Sequence, residues 1–116
     1  MKVSFEGIGE VAVTCFAGET VAKGDVVKMT GNGTVGACAA GDAFCGVALG
    51  GAERGTAAVQ MGGCCAVSYS GTAPTVGWTK ISADGAKGVK ADATATGTAY
   101  LVLSVDTAAK TAVIRL

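Results

Sequence analysis

The stretch DVVKMTGNGTVGA, Asp25–Ala37, decides the fold class. Asp25–Met29 is rich in β-branched residues, Asn32-Gly33 is a turn dipeptide, and the chain returns through Val35. Asn-Gly suits a type I′ turn because both residues tolerate positive φ, so the segment predicts a hairpin. No window nearby carries the i, i+3, i+4, i+7 apolar stripe of a capped helix.

The same punctuation extends in both directions. Toward the N-terminus, Val11, Val13 and Cys15 alternate with polar or small residues, and Lys2–Glu6 places Val3 and Phe5 on one face. Toward the C-terminus, Cys45–Leu49 and Thr56–Met61 read as strands joined by a turn at Ala52–Gly55, with Ala57, Val59 and Met61 sharing a face. Cys65, Val67 and Tyr69 continue the alternation. The run through Trp78 and Ile81 meets the turn dipeptide Asp84-Gly85 and passes Gly88-Val89-Lys90. Ala99–Val105 sets Leu101, Leu103 and Val105 against Tyr100, Val102 and Ser104, and the tail Ala112–Leu116 pairs with it across Asp106–Lys110. The expectation is an all-β chain, a small β-barrel or compact β-sandwich of about eight strands with antiparallel pairing, hairpins and little helix. A weaker echo, Gly18-x5-Gly24 before one hairpin and Gly71-x5-Gly77 before another, suggests two similar β units closing into one barrel.

Length and composition narrow the function. With 116 residues and 11.2 kDa, residues 1–116 are expected to form a single domain. Half of the residues are apolar but only 5% aromatic, so the core is built from small side chains, and association is one way to add buried area. Nine basic residues balance nine acidic ones, without a like-charge run. Nucleic acid and anionic membranes are therefore not expected as partners; proteins are. MKVSFEGIGE lacks the apolar stretch of a signal peptide, and no later segment approaches a membrane span, which predicts synthesis in a cytoplasm, with the five cysteines kept as thiols.

The chain has no histidine, which removes the commonest general base and metal ligand. Its carboxylates are scattered, several beside glycine, as in Gly24-Asp25, Gly41-Asp42 and Asp84-Gly85, the pattern of turn formers rather than an acid/base pair. Cys64-Cys65 is adjacent rather than CxxC, and with Cys15, Cys38 and Cys45 supplies no zinc knuckle; buried cysteines acting as small hydrophobes are expected. Thr30–Thr34 matches neither GxxxxGK[ST] nor a dinucleotide fingerprint. The reading is a non-enzyme without catalytic residues, cofactor, metal or small-molecule substrate. Phe5, Phe16, Phe44, Tyr69 and Tyr100 are expected in the core, whereas Trp78, beside Gly77 and after Pro74, is a candidate interface residue. Residues 1–9, through Val3 and Phe5, are a candidate contacting arm, since a terminal amphipathic strand adds readily to a neighbour's sheet edge.

AGETVAKGDVVKMTGNGTVGACAAGDAFCGVA, Ala17–Ala48, resembles the opening half of the head decoration, or capsid cement, proteins of tailed bacteriophages. The shared features are an AG-x-x-V-x-x-GD-V-V element, a glycine turn with a TV strand, and a GD-x-x-x-GVA strand. YLVLSVDTAAKTAVIRL, Tyr100–Leu116, resembles the closing hairpin of phage virion β modules, and the two stretches span about half of the chain. The resemblance implies a virion protein on the capsid surface, bound to the major capsid protein as a homotrimer and reinforcing the shell against packaged DNA. Ala91–Ala99 and the cysteines depart from the family pattern. A tail-tube or baseplate module shares the strand-rich pattern. VAKGDVVKM also resembles the hammerhead of biotinyl and lipoyl carrier domains, although Lys28-Met29 falls inside a strand rather than in an E-x-M-K-M hairpin.

Overall fold

The computed structural model describes residues 9–18, 20–51, 53–94 and 98–116, so the strand expected over Lys2–Glu6 lies outside the described residues. Ten strands and no helix occur among the described residues. They are β1 (Val11–Ala17), β2 (Val26–Gly31), β3 (Thr34–Ala37), β4 (Gly46–Ala48), β5 (Thr56–Gly62), β6 (Cys64–Ser68), β7 (Gly77–Ala83), β8 (Val89–Ala91), β9 (Thr98–Asp106) and β10 (Thr111–Arg115).

The first five close a barrel in the order β1-β3-β2-β4-β5, and the second five form a sheet in the order β6-β10-β9-β7-β8. Both architectures named from the sequence are thus combined, and the two echoed units lie in different sheets rather than in one barrel. Pairing between strands is antiparallel except for β1 with β3, where Phe16 meets Thr34 and Ala17 meets Val35.

The Asp25–Ala37 hairpin forms as expected, but its turn differs. Only Gly33 takes positive φ, 62°, and the register slips between Met29 and Gly31, so the turn is bulged rather than type I′. The two-residue turn with both central residues at positive φ is Arg54-Gly55, at 53° and 78°, closed by reciprocal hydrogen bonds between the backbones of Glu53 and Thr56.

Two apolar cores share a wall. Cys15, Ala17, Val21, Val27, Val35, Ala48, Ala57 and Val59 fill the barrel, with Met61 packed against them. The second core lies between the barrel's outer wall and the inner face of the sheet: Val26, Phe44 and Val47 from the barrel side meet Cys65, Val67, Tyr69, Ile81, Val89, Val102 and Ile114. Side-chain alternation explains the sharing, because adjacent residues of one strand point to opposite faces. In β2, Val26 faces the seam and Val27 the barrel interior; in β4, Val47 and Ala48 divide likewise.

Two expected faces are altered, the second by a bulge. In β1 the barrel core takes Cys15 and Ala17; Val13, in phase with them, is 41% exposed, and Val11, beyond a register shift between Val11 and Ala12, is 57% exposed. In β9, Val113 of β10 pairs with Ser104 and Ile114 with Val102, leaving Leu103 as the extra residue. The phase changes there, so Val102 and Val105 both reach the core although they were expected on opposite faces.

Candidate interaction surface

The sheet's inner face is committed to the seam; of the outward positions, Ser82 and Cys64 are buried, while those around Trp78 are open to solvent. Ile81 and Ala83 of β7 point inward, so Trp78 and Lys80 project outward, as do Lys90 of β8 opposite Val89 and Arg115 of β10 opposite Ile114. Trp78 is 67% exposed and Val76, just before the strand, 61%. Trp78 pairs with Leu101 on β9, which pairs with Arg115 on β10, so three strands present one cross-sheet row. The Arg115 guanidinium lies 5.4 Å from the centre of the Trp78 ring, a cation–π contact that holds the indole across the row.

The face is cationic. Among the described residues, Lys80, Lys90 and Arg115 have no acidic partner within ion-pair distance; the two ion pairs are Lys28–Asp42 and Lys87–Asp25. Asp92, joined to Ser82 on this same side of the sheet and close enough to Lys90 to feel its charge, is buried and accepts hydrogen bonds from Ser82 Oγ at 2.8 Å and from the Thr94 hydroxyl and amide. Those contacts, Thr94 first, hold its carboxyl down at about 2. Asp106, at the far end of β9, caps its turn by accepting from the amides of Ala108 and Ala109.

Asp25, Asp42 and Asp84 behave as turn formers. Asp25 accepts from the Ala22 amide, Asp42 from Ala39, and Asp84 from Ala86 and Gly88. The Lys28 hydrogen bond holds the Asp42 carboxyl below the usual carboxylate range and raises the Lys28 ammonium. Lys28 therefore sits on β2, ion-paired, and not at a hairpin tip as a carrier-domain lysine would. Burial pushes the Cys38 thiol up to about 11 and raises Cys45, the opposite of an activated nucleophile. No disulfide joins the cysteines, and no group of three metal-ligating side chains occurs among the described residues. No helix among the described residues is long and apolar enough to cross a membrane.

Of the interaction residues named from the sequence, Trp78 stands on the exposed face, and Val3 and Phe5 lie outside the described residues. Phe44 and Tyr69 are buried, and Tyr100 stacks on Phe44 at 4.9 Å between centroids while donating its hydroxyl hydrogen to the Phe44 carbonyl. Phe16 was expected inside but is 61% exposed, because the inward positions of its strand are Cys15 and Ala17. Arg115, Lys80 and Val76 were not singled out from the sequence. Arg115 joins Trp78 only through strand register, although the exposed end of a C-terminal strand with an inward Ile114 was a usable signal.

No family model and no curated protein matches the chain. Among solved structures, the chain is similar to the N base of the head fiber protein gp8.5 of bacteriophage phi29, with a TM-score of 0.66 over 92% of this chain and 93% of that one. At 13% identity, what the two share is the fold.

Proposed function

We propose that the chain is a non-enzymatic virion structural protein that binds the outer surface of a phage capsid, as a homotrimer, and stabilises the shell against the pressure of packaged DNA. It is made in the cytoplasm of the bacterial host and ends on the virion surface, with the major capsid protein and its own copies as partners. The observation that carries this reading is the fold shared over nearly the full length of both chains with a phage head fiber base. The decoration-protein resemblance of Ala17–Ala48 supports it independently. So does the chemistry: Asp25, Asp42, Asp84 and Asp106 serve turns and the half-buried thiols of Cys38 and Cys45 are raised, as suits a scaffold that works by adding interface. The same structural likeness favours a second reading, a head-bound base that carries another element outward.

The test is co-sedimentation of the purified chain with expanded capsids, followed by the temperature at which those capsids release DNA. Saturable binding with a raised release temperature supports stabilisation. Binding without any such rise leaves the fiber-base reading, and no binding rejects both. Light scattering coupled to size exclusion measures the oligomer directly: a trimer is expected, a strict monomer overturns the trimer, and stacking rings would move the protein to the tail.

A further inference from the structure

We propose that the outer face of the second sheet, centred on Trp78 and rimmed by Lys80, Lys90 and Arg115, is the docking surface, and that it takes an acidic patch of the shell protein. The inference rests on the capsid-binding reading and adds to it the surface and the partner's chemistry. Three observations converge. Trp and Arg are enriched among residues that dominate binding energies, and here they are stacked on one another and exposed. The contact pre-organises the indole, which lowers the ordering cost of binding. The rim carries three cations that lie outside the ion pairs of the described residues; Asp92 answers Lys90 in part but is buried and committed to hydrogen bonds, which leaves the face net positive on a chain whose total charge is zero. That asymmetry decides the occupant. A second copy meeting this face symmetrically would bring Lys80, Lys90 and Arg115 against themselves, and like charges across an interface are costly. An acidic protein surface would instead pair with the rim while its apolar centre covers Trp78, Val76 and Leu101.

The experiment measures capsid co-sedimentation between 50 and 500 mM salt for the wild type, Trp78→Ala, the double variant Lys80→Glu/Arg115→Glu, and Phe16→Ala as a control on the barrel wall. Thermal melts verify folding, and Lys80→Gln/Arg115→Gln replaces the reversal if that variant fails to fold. Trp78→Ala is expected to weaken binding at least tenfold, and the double variant to weaken it further while flattening the salt dependence. Phe16→Ala should bind like the wild type. Wild-type binding matched by Trp78→Ala and by the charge variants would overturn the surface and leave the capsid reading intact. A wild type that binds no capsid fails the reading itself. Dissociation of the oligomer by Trp78→Ala would reassign the face to self-association, and competition by naked DNA would reassign it to nucleic acid; either overturns the proposal.

Discussion

Single residues of this chain are constrained by close approach and by hydrogen bonding more than by bulk. At Gly46 an added Cβ would lie 2.4 Å from the Gln60 carbonyl oxygen and 2.7 Å from Val59 Cγ1, in the middle of the barrel wall. Gln60 is fixed because its own side-chain amide donates to the carbonyls of Gly62 and Cys64. Gly46→Ala is therefore expected to cost about 3 kcal/mol, read as a lower urea midpoint with unchanged slope. Asp92 supplies a pH dependence. Its carboxyl sits at about 2 in the folded chain against 3.8 as the ordinary value, so its contribution is present above the ordinary value and is lost as pH falls from about 4 to about 2. Asp92→Asn should lower the melting temperature at pH 7, and the gap to the wild type should close near pH 2. A gap that persists in acid would place the effect in packing rather than in the carboxylate.

Among elements, the two hairpins of the barrel show what local sequence reveals. Asn32-Gly33 located its turn but not the turn's type, because the β2–β3 register slips by one and leaves Asn32 without positive φ. Arg54-Gly55 carries the double positive φ, and arginine there pays a steric cost that asparagine avoids. Arg54→Asn should raise stability by about 0.5–1 kcal/mol in chemical denaturation, since it restores the residue pair that such turns favour. The β9–β10 hairpin was legible from its alternation, but the bulge at Leu103 that brings both Val102 and Val105 inward was not, because alternation read along one strand carries no information on register with another. The parallel β1–β3 pair and the closure of the barrel depend on contacts between segments far apart in sequence, and no local spacing encodes them. The candidate surface divides the same way. Trp78 stood out by residue type, whereas its pairing with Arg115 runs through Leu101 on a third strand.

For the whole molecule, the shared wall sets the cooperativity. β2 and β4 each give one side chain to the barrel core and its neighbour to the seam, so unfolding the barrel removes Val26 and Val47 from beneath the sheet. The Phe44–Tyr100 stack ties the barrel's loop to β9 across the same seam. A sheet whose inner face loses that floor exposes Ile81, Val102 and Ile114, each almost fully buried in the folded chain, and a lone sheet with a bare apolar face is not stable in water. The barrel and the sheet should therefore unfold together, as small domains commonly do. Hydrogen exchange read by mass spectrometry across a urea series checks this: protection of β1 and β5 in the barrel and of β9 and β10 in the sheet should vanish at one midpoint. Val26→Ala, which touches only the seam, should lower the midpoint of both regions equally. Loss of protection in the sheet while the barrel stays closed would mean that the wall is not shared in the energetic sense, and that the docking face could detach from the barrel behind it.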